Sequence, residues 1–314
     1  MGGTAMPDKK KLGWIGTGRM GYEMAVRLGK AGYDLLAWNR TKAKADPLTG
    51  YGVKVASALG ELAHRDIVFT MVSTSDDLKE VLLGAGGLLD GAKAKPRIIV
   101  DCSSISIEAS AEMRAALQSQ GISFLASPVS GNAKVIKAGK LSVVCSGPRE
   151  VFEECQPYLQ AFGPGGVSYV DDGELARIAK ICHNVFLGVV TQSLAEITVL
   201  AQKAGLSRHA FLNFMNNSVL GSVFSRYKTP ALVNLDFKVT FTPHLLRKDL
   251  DLGLDAGRKL EVPLPLASMT RDLIQTQMGH GHTEQDFSTL LLLQAKASGL
   301  ELESENVPID DGLN

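Results

Sequence analysis

Glycines at 16, 18 and 21 interrupt the chain between an apolar run, Lys11–Ile15, and an amphipathic stretch, Met20–Ala31. A strand that ends in G-x-G-x-x-G and opens directly into a helix leaves few folds open. Gly16 permits the tight turn, Gly18 lets a pyrophosphate approach the backbone, and Gly21 lets the helix pack closely on the strand. The helix N-terminus then offers unpaired N–H groups and a positive dipole end to phosphates. Thr17, Arg19 and Met20 complete this candidate cofactor loop.

The surrounding pattern fits a doubly wound parallel sheet. Strand-like runs recur at Asp34–Trp38, Val53–Val55, Ile67–Met71, Ile98–Asp101, Ser123–Ala126, Leu141–Cys145 and Val167–Val170. Helix-like segments separate most of them, with Thr41 and Ser57 as candidate N-caps. This βαβα rhythm predicts an α/β fold, an N-terminal Rossmann sheet over residues 11–172.

The second strand ends in Trp38-Asn39-Arg40-Thr41. Enzymes that use NAD usually carry Asp or Glu here, to bind the ribose 2′-hydroxyl. This chain has none. Arg40 can pair with a 2′-phosphate, and Asn39 and Thr41 can donate hydrogen bonds to it. The reading therefore favours NADP over NAD.

After Asp172 the strand-like runs stop. The stretch from Glu174 to Gly205 holds no breaker except Gly188. About 29 residues in one helix span about 43 Å. Further helices are expected at Ser207–Asn216, Thr242–Leu260, Pro265–Gly279 and Asp286–Ala297. An all-α domain over residues 173–300 is thus predicted, joined to the sheet by the long interdomain helix. Residues 1–10 are expected to form a disordered N-terminal extension, and the polar, acidic residues 301–314 a frayed, flexible tail.

Charge narrows the partners. The 33 basic and 33 acidic residues give a formal net charge of zero, so no bulk attraction to nucleic acid or to an anionic membrane is expected. No apolar run reads as long enough to span a bilayer. The four cysteines, 102, 145, 155 and 182, show no CxxC or zinc-like spacing, which suits a reduced, cytoplasmic protein. His280 and His282 lack accompanying ligands, so no metal site is expected.

Other segments carry chemistry. Val72-Ser73 follow one strand, Cys102-Ser103-Ser104 another, and Ser127–Asn132 a third. Lys180, His183 and Asn184 are spaced i, i+3, i+4 and share one helix face. In an otherwise apolar helix a polar trio needs a partner or a cleft. Arg177, one turn earlier, fits either a carboxylate ligand or a surface residue.

Together with Gly16–Gly21 and the "RKDLDL" segment around Lys248, this order of motifs resembles the β-hydroxyacid dehydrogenase family over roughly residues 11–300. That family includes 3-hydroxyisobutyrate dehydrogenase, tartronate semialdehyde reductase, glyoxylate/succinic semialdehyde reductases and, more distantly, 6-phosphogluconate dehydrogenase. The resemblance implies hydride transfer between NADP and a short β-hydroxyacid or its semialdehyde. It implies Lys180 as the catalytic lysine and Asn184 as the residue that orients substrate. Ser130 and Gly131 would bind substrate, with Asn132 and His183 shaping the pocket. Val72, Ser73, Ser104 and Lys248 would line the cofactor. Asp286-Phe287-Ser288 resembles a C-terminal "DFS" that closes over the site. The resemblance also implies a homodimer or homotetramer.

Two departures bear on substrate. Asn132 stands where a second Gly is usual, and His183 where many members have Asn. Lys-x-x-His-Asn resembles 6-phosphogluconate dehydrogenase, but the Glu that enzyme needs seven residues after the Lys is Leu187 here. The alternatives are an imine reductase-like enzyme, a 6-phosphogluconate dehydrogenase-like enzyme and a non-catalytic NADP-binding module. Imine reductases and such modules usually lack the catalytic Lys.

Overall fold

The computed structural model describes residues 10–313. The expectation for the N-terminal extension therefore lies, apart from Lys10, outside the described residues. The chain forms two compact units, one up to Lys180 and one from Ile181 onward.

The first unit opens with β1 (Leu12–Ile15), α1 (Arg19–Lys30), β2 (Leu35–Trp38), β3 (Lys54–Val55) and β4 (Ile67–Thr70). It continues with α2 (Ser75–Leu83), β5 (Ile98–Asp101), α3 (Ile107–Gln118) and β6 (Ser123–Ala126). These six strands form one parallel sheet in the order β3-β2-β1-β4-β5-β6. The order reverses between β1 and β4, the switch point where such sheets bind ligands beyond the strands' carboxyl ends. A smaller sheet follows: β7 (Val129–Ser130), α4 (Ala133–Lys137), β8 (Ser142–Cys145), α5 (Arg149–Phe162) and β9 (Gly166–Tyr169). Within it β7 runs antiparallel to β8, and β8 parallel to β9.

Period-two alternation explains why the main sheet is buried on both faces. Leu12, Trp14, Leu35, Ala37, Ile67, Phe69, Ile98 and Val100 pack into one core. The intervening Ile15, Leu36, Val68 and Ile99 pack into the other. The register pairs Leu12 with Leu35 on one side and with Ile67 on the other.

Two expected N-caps are corrected. Thr41 precedes only a short 3-10 turn, Lys42–Lys44, and makes no side-chain cap. Ser57 likewise precedes a 3-10 stretch, Leu59–His64, and its N–H bonds Glu61 Oε1 at 2.8 Å.

The long helix, α6 (Leu175–Lys203), runs through the boundary between the units. The boundary falls later than the change in sequence pattern at 173 because the helix's first turn is bonded into the first unit. Ala176 N–H donates to Ser146 Oγ at 3.0 Å, and Arg114 Nε to Glu174 Oε1 at 2.7 Å. By length and composition α6 does qualify as a bilayer span, which corrects the earlier expectation. Core helices meet the same criterion. The second unit supplies α6 with helix partners: Asn184 bonds Asp249, and Gln192 bonds Gln294.

The second unit adds α7 (Arg208–Asn217), α8 (Val223–Asn234), α9 (Pro243–Lys259), α10 (Pro265–Gly279) and α11 (Leu290–Ala297). Its core centres on Leu194, Leu212, Leu246, Leu250, Ile274, Phe287 and Leu291. A Cβ at Gly253 would collide with Val185, and one at Gly188 would press on Leu250. Glycine at these positions lets α6 and α9 approach closely.

The expected frayed tail is corrected at Glu305. Its carboxylate accepts the N–H groups of Arg208 (2.7 Å) and His209 (3.0 Å), the first turn of α7. Asn234 and Val307 exchange two further hydrogen bonds. The acidic composition that suggested fraying is what a helix N-terminus accepts.

Candidate active site

The turn after β1 has the geometry its glycines predict. Gly16 has φ +95°, and a Cβ there would strike the carbonyl of Met71. A Cβ on Gly21 would strike the carbonyl of Gly16, so the start of α1 sits directly on the turn. At Gly18 a Cβ would meet nothing within 4 Å. The turn is therefore crowded where helix meets strand and open where a ligand would approach. Gly18 caps α1 without a side chain, so the helix's positive end keeps no side-chain acceptor there. Arg19 is exposed at the first position of α1, and Met20 packs against the core. Thr17 is buried, and its Oγ1 has no hydrogen-bond partner.

A cavity of about 290 Å³ lies at this switch point. It gathers Gly16, Gly18, Asn39, Arg40, Thr41, Val72 and Ser73 from the predicted set. Lys44, which the sequence reading passed over, also lines it, as do the acidic Asp77 and Glu80. Arg40 is 78% exposed and lies 3.8 Å from Asp77. Asn39 has a bracing role beside the predicted one. Its Oδ1 accepts from Thr17 N–H at 2.9 Å, and its Nδ2 donates to Thr41 O at 2.9 Å. The amide thus ties the second-strand loop to the glycine turn. Arg40, Thr41 and Lys44 remain as the polar and basic edge.

The wall formed by Val72 is held from behind. Val72 N–H donates to Ser103 Oγ (2.9 Å), which donates to Asp101 Oδ1 (2.7 Å). Thr70 Oγ1 donates to the same oxygen at 2.6 Å. The other carboxylate oxygen accepts from Arg177 Nη2 at 2.6 Å. Arg177 and Asp101 are 1% and 0% exposed. Arg177 is therefore not a surface residue but a buried cation, and the carboxylate it binds is the protein's own Asp101. Ser104 follows in the same turn.

Ser130 ends β7, paired with Ser142, and Gly131 follows with φ +142°. A Cβ at Gly131 would press on Val135 and Leu141, so glycine is required there on both counts. Asn132 is buried, and its Oδ1 caps α4 by accepting Val135 N–H at 3.1 Å. That explains a side chain where a second glycine is usual. The expected pocket-shaping role is thereby narrowed to Nδ2, which is buried with no hydrogen-bond partner.

In the second unit, Asn184 is buried and donates from Nδ2 to Asp249 Oδ2 at 2.6 Å. Its Oδ1 lies 2.9 Å from His183 Nδ1. A carboxylate only accepts, so Asn184 must turn its oxygen to His183, and His183 Nδ1 must carry the proton. Neutral His183 is then the Nδ1–H tautomer, its Nε2 an acceptor. Lys248 lies 3.5 Å from the second oxygen of Asp249. Asp249 was missed, although the reading singled out its neighbour. Asp286 of the "DFS" segment pairs with Lys228 Nζ at 2.6 Å and accepts from Thr240 and Ser288. Burial pushes its carboxyl up, but the Lys228 ammonium and these hydrogen bonds outweigh burial and hold it below the ordinary value.

Among the described residues, no group of three or more His, Cys, Asp or Glu is arranged to hold a metal ion. His282 Nδ1 lies 2.7 Å from Gln285 Oε1.

Residues 11–173 match the profile of the NAD binding domain of 6-phosphogluconate dehydrogenase. Residues 175–293 match that of the NAD-binding domain of NADP-dependent 3-hydroxyisobutyrate dehydrogenase. The 2-(hydroxymethyl)glutarate dehydrogenase of Eubacterium barkeri is 31% identical over 299 residues, 95% of this chain and 99% of that protein. The chain belongs to the β-hydroxyacid dehydrogenase family.

Other proteins are similar over most of this chain. Chloroplastic glyoxylate/succinic semialdehyde reductase 2 of Arabidopsis thaliana is 28% identical over 281 residues, 89% of this chain and 78% of that one. The crystal structure of 3-hydroxyisobutyrate dehydrogenase from Salmonella typhimurium superposes with a TM-score of 0.81 at 25% identity, covering 90% of this chain and 99% of that one. The cytokine-like nuclear factor N-PAC of Bos taurus is 29% identical over 289 residues, 92% of this chain. The chain spans only 52% of N-PAC's length.

Proposed function

We propose that this protein is an NADP-dependent reductase of a short aldehyde bearing a carboxylate, acting reversibly on the corresponding β-hydroxyacid. The observation that carries the reading is the clamped start of α6. Arg177 fixes the first turn to the carboxyl end of β5, and Lys180 follows three residues later on the same side of the helix. This supports a lysine beside the end of the sheet that carries the glycine turn.

The turn fits a dinucleotide: the open approach at Gly18, the unpartnered Thr17 hydroxyl and the uncapped start of α1 suit a pyrophosphate. Arg40, Thr41 and Lys44 would hold a 2′-phosphate. When bound, the nicotinamide supplies or accepts the hydride. The protein's own part is the proton. Reduction turns a carbonyl oxygen into a hydroxyl, and Lys180 donates the proton that oxygen needs. In oxidation the same amine takes it back. Asn184, held by Asp249, orients the substrate, and Ser130 with Gly131 binds its carboxylate. Lys248 remains a cofactor-lining residue in this reading. His183, with Nε2 as acceptor, suits a hydroxyl on the substrate.

The substrate class has independent support. The substrates named for the relatives, 2-(hydroxymethyl)glutarate, glyoxylate, succinic semialdehyde and 3-hydroxyisobutyrate, are all small carboxylates. Leu187 supplies no proton for a decarboxylated intermediate, so simple reduction is favoured. Phe186, 67% exposed on α6, supports burial against a second copy in a homodimer or homotetramer. The test is a panel of glyoxylate, succinic semialdehyde, methylmalonate semialdehyde and a cyclic imine with NADPH. Turnover of an acid aldehyde, lost in Lys180→Ala, is expected. Turnover of the imine alone, or full activity in Lys180→Ala, would overturn the proposal.

A further inference from the structure

We infer that Arg177 is a positioning residue that sets the cofactor-lining wall and the helix carrying Lys180 as one piece. This rests on the reading of Lys180 given above. The starting point is how completely the guanidinium is engaged. Nη2 bonds Asp101 Oδ2 at 2.6 Å, Nη1 bonds the carbonyl of Ser103 at 2.7 Å, and Nε bonds Ser110 Oγ at 3.0 Å. Those partners lie on the end of β5, the turn after it and α3. An unbroken chain of bonds therefore runs from the cavity wall to the helix. Val72 N–H holds Ser103 Oγ, Ser103 Oγ–H holds Asp101, and Asp101 holds Arg177. Lys180 lies about 4.5 Å further along the axis.

Holding α6 in place does not by itself require this arginine. The first turn is already anchored by Ser146 to Ala176 and by Arg114 to Glu174. A fully buried ion pair is also a weak source of stability, since desolvation offsets most of its attraction and apolar replacements often serve as well. What the pair adds is directional. The planar guanidinium makes separate bonds to three groups, so the rotation and height of the first turn are fixed relative to the Val72 wall. A proton donor and a hydride donor must meet the two ends of one carbonyl, and small misplacements of such groups are expensive.

The tests are Arg177→Lys, which keeps a cation but loses the fork, and the neutral pair Arg177→Met with Asp101→Asn. Three readouts are taken: hydrogen exchange at the Val72 amide in cofactor-free protein, NADPH affinity by its fluorescence, and kcat and KM with the best aldehyde of the panel. Both variants are expected to melt cooperatively. Val72 should exchange about tenfold faster, in line with loss of one buried hydrogen bond, and NADPH should bind about tenfold more weakly. The turnover number should fall about 100-fold, with little change in aldehyde KM. Wild-type exchange and NADPH affinity in either folded variant would overturn the inference and leave Arg177 a packing residue. If neither folds, Ser110→Ala removes only the Nε acceptor. It should move exchange and affinity in the same direction by about threefold, and no movement would again overturn it. A Lys180→Ala enzyme that stays active would refute the acid–base reading, yet the exchange and affinity results would still decide the link between wall and helix.

Discussion

Replacing Arg40 by alanine tests the cofactor assignment directly. Arg40 stands 78% exposed at the edge of the switch-point cavity, 3.8 Å from Asp77, with Asp77 and Glu80 lining the same cavity. In the free protein an exposed pair of this length contributes about 0–1 kcal/mol. A 2′-phosphate would replace that weak partner with a doubly charged one. A hydrogen bond to a charged group contributes about 1.5–3 kcal/mol net. Subtracting the lost Asp77 pair leaves roughly 0.5–3 kcal/mol, so Arg40→Ala should weaken NADPH about 2- to 150-fold. NADH has no phosphate there and should bind as before. Asp77→Asn should tighten NADPH about twofold, because it frees Arg40 and removes a repelling carboxylate. Fluorescence titration of each variant with both cofactors, repeated at raised salt, gives the four affinities. The NADPH advantage should shrink with salt, as expected for an exposed charge. Equal weakening of NADPH and NADH in Arg40→Ala would refute the phosphate assignment. Tighter NADH than NADPH binding by the unaltered protein would refute it as well.

Three other outcomes follow from the same geometry. Lys228→Met strips a buried partner from Asp286, both side chains being nearly inaccessible, and should destabilise the fold at neutral pH by about 3–5 kcal/mol. Asp286 titrates below its ordinary 3.8 in the folded protein, so the pair's contribution is present above about pH 4 and is lost as pH falls through the lower folded value; urea melts across that window should show the gap between wild type and variant narrowing on the acid side. Asn132→Ala should lower stability by about 1 kcal/mol while Asn132→Gly loses only a few tenths, and equal losses in thermal melts would contradict the capping role. Burial pushes the Cys145 thiol up to about 11 and raises Cys102 and Cys155 as well, so a thiol reagent at about pH 8 should label Cys182 first and the other three only after unfolding.

The sequence made visible whatever depends on local spacing. Strands β1, β2, β4, β5 and β6 fall within a residue of their apolar runs, because each buries both faces and is apolar through its middle. The glycine turn was readable for a similar reason: Gly16 and Gly21 answer steric demands within the turn or at the neighbouring strand end, while Gly18 leaves the approach open. Two elements escaped. β7 is two residues long, too short for a periodic signal, and α8 carries Pro230 in its interior after the loop-like stretch 216–222. Pro230 normally marks a helix boundary, and here the segment continues past it.

The hydrogen-bonded site residues that stayed hidden, Asp101 with Arg177 and Asp249 with Asn184, share one property: their partners are far away in sequence. Arg177 and Asp101 are separated by 76 positions, and Asn184 and Asp249 by 65. Nothing in the local pattern distinguishes an arginine on a helix that will reach a buried carboxylate from one that will reach water. Asn132 shows the converse. Read as a departure from a family motif, it looked like a change to the substrate pocket, but its side-chain oxygen is committed three residues away, to the start of α4. Capping gives the side chain a structural use where no left-handed backbone is needed, since Asn132 is extended at φ −138° while Gly131 keeps φ +142°, and only Nδ2 is left for the pocket. Of the two departures that suggested an unusual substrate, this moves the weight onto His183. Its orientation follows from Asn184 and Asp249, and under the function proposed above a neutral His183 would meet a substrate hydroxyl. A substrate with a hydroxyl beside the reacting carbon should therefore lose affinity in His183→Asn, whereas one without it should not.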